Sequence, residues 1–135
     1  MNGIRNRTAG RPNEEGAERW EAQLRKGCLE MAILAILWKS RLYGVEILRA
    51  IESRSSLGLA EGTLYPILGR LNSEGLVEAE WVEAGTGHPR KYYRLTTAGK
   101  DRLREMARFW TQFSTALDEL IRPAIGRKED AGANR

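Results

Sequence analysis

Residues 62–95 read GTLYPILGRLNSEGLVEAEWVEAGTGHPRKYYRL, and the change of period within them decides the fold. Leu64, Ile67, Leu68 and Leu71 fall at helical spacing and define one apolar face. Pro66 lacks an N–H and suits only a first turn, which sets the helix start near Gly62 or Thr63, with Thr63 as N-cap. Gly69 costs about 1 kcal/mol relative to alanine in a helix interior, and either opens the backbone to close approach or is simply tolerated. Gly75 can take the left-handed conformation that closes a helix. Beyond it the period becomes two: Val77, Ala79 and Trp81 alternate with Glu78, Glu80 and then Glu83. Residues 84–89, AGTGHP, are turn material, and 91–95, KYYRL, form a second strand with Tyr93 and Leu95 on one face and Tyr92 and Arg94 on the other. A helix therefore leads into a β-hairpin.

Working outward, residues 28–38 (CLEMAILAILW) are almost continuously apolar and predict a buried helix. Ser40 to Leu42 is a break. Residues 43–54 (YGVEILRAIESR) place Tyr43, Ile47, Leu48 and Ile51 on one face of a second helix, and Ser55 to Gly58 is a loop. Three helices and a hairpin are the element order of a winged helix-turn-helix, so the expected class is mainly α with a small β-hairpin (α+β). Upstream, Ala17, Trp20 and Leu24 predict a short extra helix over 14–25, with Gly27 as a weak point after it, and residues 1–13 read as a flexible tail. Residues 14–95 are then the expected winged helix-turn-helix domain, a candidate for DNA binding. Downstream, Thr96 or Thr97 caps a helix over 96–122 that Pro123 stops, and 123–135 is a polar tail. Leu103, Met106, Trp110, Phe113, Leu117 and Leu120 follow a 3,4 repeat, with Phe109, Ala116 and Ile121 widening the stripe. Such a helix, ~37 Å long at 1.5 Å per residue, outruns a small domain and calls for a partner, most economically the same helix of a second chain, the alternative being a helix packed back on its own domain.

The 135 residues carry 22 Lys and Arg against 18 Asp and Glu, a net charge of +4. No segment is massed with positive charge: residues 61–95 hold 4 basic and 5 acidic groups. If DNA is the partner, the fold must assemble the cations. A single cysteine, Cys28, excludes an internal disulfide, and with a single histidine, His88, it excludes an ordinary Cys/His zinc site. The longest apolar run, Met31 to Trp38, is too short to span a bilayer, and Met1 to Gly16 lacks the apolar stretch of a signal peptide, so a cytoplasmic protein is expected. Enzymatic function is disfavoured. Cys28 lies in an apolar helix, His88 lies at a loop tip, no phosphate-binding glycine motif occurs, and the Glu78, Glu80, Glu83 row reads as a solvated face. No cofactor or metal is implied.

The strings KGCLEMAILAIL, YGVEIL, EGTLYPILGRLNSEGLVEAEW and HPRKYYRLTTAGK, followed by a long aromatic helix, together resemble the PadR family of bacterial transcriptional regulators over roughly residues 25–122. The short chain is similar to the subfamily with a single C-terminal dimerisation helix. The resemblance implies a dimeric winged-helix protein that binds double-stranded operator DNA, in a family of mostly repressors of which several bind phenolic or flat aromatic effectors. Three features depart from it. Ala60-Glu61 stands where a small polar pair is common, Gly69 replaces a longer side chain, and residues 1–20 fall outside the match.

In a helix-turn-helix the second helix enters the major groove and its N-terminal residues reach base edges. Here Thr63 and Tyr65 can donate to phosphate or base, while Gly62 and Pro66 keep the helix start small. Arg70 can reach a phosphate or pair with Glu74. Tyr43 opens the preceding helix and can either touch phosphate or pack. The tip residues His88, Arg90 and Lys91 concentrate positive charge for phosphate or minor-groove contact, and Arg25 and Lys26 are further phosphate candidates. Trp81 and Tyr93 are expected to pack the hairpin on the helices. Trp110 and Phe113 either fill the dimer core with their mates or flank a slot for a flat aromatic effector. The competing function is a winged-helix module that binds protein instead of DNA. DNA binding requires both recognition helices on one side of the dimer, about 34 Å apart.

Overall fold

The computed structural model describes residues 12–83, 85 and 87–133. Its elements, in chain order, are α1 (Pro12–Ile36), β1 (Leu42–Tyr43), α2 (Gly44–Arg54), α3 (Glu61–Ser73), β2 (Val77–Val82), β3 (Arg90–Leu95) and α4 (Thr97–Ala133). The three strands form one antiparallel sheet in the order β1-β3-β2, with Leu42 opposite Tyr93 and Val77 opposite Leu95. This is a mainly helical winged helix with a small sheet. Among the described residues no helix is long and apolar enough to cross a membrane.

The core follows the apolar periodicity. Leu29, Ile33, Leu34 and Leu37 of the first helix and its exit meet Ile47 and Ile51 of α2 and Leu64, Leu68 and Leu71 of α3. Leu76, Val77, Tyr93 and Leu95 close it from the sheet side. Among the described residues it contains no buried polar or charged side chain. Apolar burial therefore supplies its cohesion, at roughly 25 cal/mol per Å².

Several local expectations need correction. The expected extra helix over 14–25 and the core helix over 28–38 are one helix, α1, which runs through Gly27 and opens at Pro12, inside the expected tail. One interior glycine costs about 1 kcal/mol, which the packing of the second half outweighs. The remainder of that tail, residues 1–11, lies outside the described residues. The helix ends at Ile36, and Trp38 is in the turn beyond, its N–H donating to the Ala35 carbonyl at 3.1 Å.

Helix α3 begins at Glu61, so Thr63 is not its N-cap. The Thr63 and Leu64 N–H groups donate to the Ala60 carbonyl at 3.0 and 2.9 Å. Pro66 consequently lies in the second turn. The carbonyl it leaves without a donor, that of Gly62, is in the exposed first turn, where water can serve it. Ala60 offers no side-chain cap, and Glu61 in the first turn complements the helix dipole instead. At the other end Gly75 has φ +80°, and the Leu76 N–H reaches back to the Leu71 carbonyl at 2.9 Å.

The junction to α4 is tight. The Thr96 hydroxyl accepts from the Gly99 N–H at 3.0 Å and donates to the Gly75 carbonyl at 2.6 Å, while the Thr96 N–H donates to the Leu76 carbonyl at 3.1 Å. Thr96 is thus the N-cap. Helix α4 does not stop at Pro123 and continues to Ala133, beyond the expected boundary. An internal proline removes one bond, here to the Glu119 carbonyl on an exposed stretch where water can replace it. At 1.5 Å per residue α4 is about 55 Å long.

Candidate nucleic-acid interface

The helical spacing of α3 sorts its side chains. Leu64, Leu68 and Leu71 face the core, so Gly62, Pro66 and Gly69 lie on the opposite, exposed face. Tyr65 stands on one flank of that face. It leans across a cleft of about 530 Å³ between α3 and the hairpin, which Tyr43, Gly69, Trp81, Arg90 and Lys91 also line. Four residues proposed from sequence, Tyr43, Tyr65, Arg90 and Lys91, therefore meet in one place, although they are spread over 49 positions of chain.

Ring stacking positions the cations. The Arg90 guanidinium lies 4.6 Å above the Tyr43 ring, and Tyr43 meets Tyr92 edge-on at 5.4 Å. Arg41 covers Tyr92 at 4.7 Å. Lys91 Nζ is 5.7 Å from the Trp81 ring and 5.9 Å from Tyr93. Burial, with a smaller contribution from Tyr65, pushes the Tyr93 hydroxyl above its ordinary pKa.

The charge arithmetic of residues 61–95 is resolved by pairing. Glu78 is bound by Arg94, its cross-strand neighbour, and Glu80 is bound by Arg41 at 2.6 Å. The acidic row is exposed, as expected, but largely neutralised. Among the described residues Arg90 and Lys91 form no ion pair. The cleft is accordingly cationic in a segment whose sequence is near neutral.

Other candidates lie elsewhere. Arg70 turns away from the cleft and donates to Glu30 at 3.0 Å and Glu74 at 3.2 Å. Those two bonds, Glu30 first, hold its guanidinium pKa above the ordinary value. Arg102 of α4 joins the same cluster through Glu30 at 3.2 Å. Arg25 pairs with Glu21 at 3.5 Å, donates to the Ser56 carbonyl at 3.3 Å and stands near Trp110, not near the cleft. Lys26 is exposed on α1, Thr63 is exposed on the α3 flank that also carries Arg70, and His88 is exposed in the loop before β3.

Trp81 corrects an expectation. It is on the core-facing side of the sheet, in line with Val77 and Ala79, yet it is 67% exposed. The α3 residues that line the cleft with it are Tyr65 and Gly69, and Gly69 has no side chain to cover it.

Gly44 controls Tyr65. A Cβ on Gly44 would overlap the Tyr65 hydroxyl and sit 2.6 Å from its Cζ. Tyr65 is 42% exposed and free to swing outward. Gly44→Ala is expected to keep stability within about 1 kcal/mol, since alanine favours the helix. It should displace Tyr65 from α2, which nuclear Overhauser contacts of the Tyr65 ring will register.

A second groove, of about 450 Å³, lies between α1 and α4 and is lined by Leu24, Cys28, Met31, Phe109, Trp110 and Phe113, among others. Phe109 stacks on Phe113 at 5.3 Å, and Trp110 is tilted against Phe113 at 6.3 Å. Of the expected seam residues, Leu103 and Met106 pack on the chain's own core, whereas Trp110, Phe113, Leu117 and Leu120 remain exposed.

Three helices, a wing and a cationic cleft beside the second helix of the pair define a winged-helix regulator of the DNA-binding class. Residues 33–105, more than half the chain, match the transcriptional regulator PadR-like family. The chain is 37% identical over 82 residues to transcriptional regulator Rv3488 of Mycobacterium tuberculosis, covering 61% of this chain and 69% of the relative. A PadR-like transcription factor structure from Bacteroides fragilis is 38% identical, with TM-score 0.62, across 76% of this chain and 98% of that one. A PadR family regulator from Eggerthella lenta is 31% identical with TM-score 0.73, across 81% and 95%. The chain belongs to the PadR family of transcriptional regulators, a family of DNA-binding regulators and not of enzymes.

Proposed function

We propose that this regulator is a cytoplasmic homodimeric repressor that reads a two-part operator through α3 and the wing. The observation that carries this reading is the convergence of Tyr43, Tyr65, Arg90 and Lys91 on one cleft, with Glu78 and Glu80 of the adjoining strand already paired. Gly62 and Pro66 let the α3 backbone approach base edges, Thr63 and Tyr65 supply donors, and Arg90 and Lys91, with His88 beside them, hold phosphates. Arg25, Lys26 and Arg70 stand outside the cleft and are left out of this assignment. The exposed face of α4, from Phe109 to Ile125, supports a second copy as the partner. The groove beside Trp110 and Phe113 has the size and apolar lining for a flat aromatic effector that tilts the reading heads out of register.

The test is fluorescence anisotropy with a duplex from the gene's own upstream region and a scrambled duplex at 0.15 M salt. Wild type should select the first. Arg90→Ala/Lys91→Ala should weaken binding by about tenfold or more and flatten the dependence of log K on log salt by about 1.8, for two lost phosphate contacts. Equal binding of both duplexes by wild type and variant would favour the protein-binding module instead.

A further inference from the structure

The sheet face that carries Trp81 begins as core. Val77 and Leu95 are buried, Ala79 and Tyr93 border the helices, and Trp81 and Lys91, paired across the strands, continue the same face into the open. Gly69 lines the cleft together with Trp81 and adds no side chain to it, and a Cβ there meets nothing within 4 Å. The exposed indole is apolar surface left in water, and the ammonium beside it has no ion-pair partner among the described residues, so the pair matches a ligand that is both apolar and anionic. A strand of DNA presents such a surface, deoxyribose between phosphates. The cleft is also continuous with the exposed face of α3 at Gly62, Pro66 and Gly69.

We propose that one DNA strand runs through the cleft between α3 and the wing, with the Trp81 ring packed on its sugars, Lys91 on its phosphate, and Gly69 keeping the passage open. This rests on the DNA-binding reading above and assigns Trp81 and Gly69 roles in affinity that charge alone does not require. It also gives a reason for glycine at a helical position where intrinsic preference disfavours it.

Three variants test it with the same operator duplex and full-length protein. Gly69→Leu should raise or keep the melting temperature, because the residue replaces a helical glycine in open space. It should nevertheless lower operator affinity by about tenfold or more by filling the passage. Trp81→Ala should lower affinity about fivefold to tenfold with the salt slope unchanged, since the lost contact is not ionic. Trp81→Phe should restore most of it. Wild-type affinity in either Gly69→Leu or Trp81→Ala overturns the proposal while leaving the DNA-binding reading intact. A wild-type protein that binds no duplex overturns the reading itself.

Discussion

Leu117→Asp/Leu120→Asp is expected to leave the protein monomeric and to lower its affinity for a two-part operator by about 10²–10⁴-fold, the contribution of tethering a second reading head. Both leucines lie on the stripe of α4 that projects beyond the domain, and Leu120 is 75% exposed within the chain. The substitution therefore removes nothing from the core of one protomer. In a helix–helix seam the same carboxylates would be stripped of water without a partner, which costs several kcal/mol each. Sedimentation velocity at micromolar concentration separates the outcomes. A dimer in wild type and a folded monomer in the variant support the seam, with helicity unchanged by circular dichroism. A dimer in both would place the interface elsewhere.

Gly99→Ala is expected to cost about 3 kcal/mol, combining overpacking with the loss of local hydrogen bonds. Gly99 is buried where α4 crosses the turn after α3. A Cβ there would overlap the Leu76 carbonyl oxygen, with the carbonyl carbon at 3.0 Å and a Leu95 methyl at 3.1 Å. Unlike the Tyr65 ring beside Gly44, the obstacle is backbone and has no rotamer to escape into. Relief must come from moving α4 or the turn, which strains the bonds of Thr96 to Gly75 and Leu76. Denaturant unfolding at fixed protein concentration should show a lower midpoint with an unchanged slope. A midpoint equal to wild type would mean the junction yields without cost.

The fold was legible where periodicity is long. The helices around Ile33, Ile47 and Leu68 and the hairpin from Val77 to Leu95 follow from spacing alone. Strand β1 was not, because two residues, Leu42 and Tyr43, show no period and owe their conformation to pairing with Tyr92 and Tyr93. Gly27, Pro66 and Pro123 read as helix boundaries but proved to be interior, since each costs a helix only a local term that neighbouring residues offset. In the site, Arg90 and Lys91 were legible as the positive end of the hairpin, while their meeting with Tyr43 and Tyr65 depends on how the helices pack beside it. For Arg70 the Glu74 pair was legible at i+4 spacing and forms, whereas the Glu30 bond was not, because Glu30 lies forty positions away on α1. The exposure of Trp81 depends on how far α3 extends beside the strand, which a face assignment does not contain.

The short turn from Glu74 to Leu76 anchors both the end of α3 and the start of α4, and the Glu30, Arg70, Glu74 and Arg102 cluster braces the two helices beside it. α3 and the start of α4 are thereby tied into one bracket by hydrogen bonds and ion pairs. Inserting a single base pair between two half-sites shifts one of them by about 3.4 Å and rotates it by about 34° around the duplex axis. A flexible joint would absorb that change, and a bracket bonded in this way resists it. For a dimer built on it, the distance between half-sites is part of the address, read by the skeleton of the protein and not by any side chain.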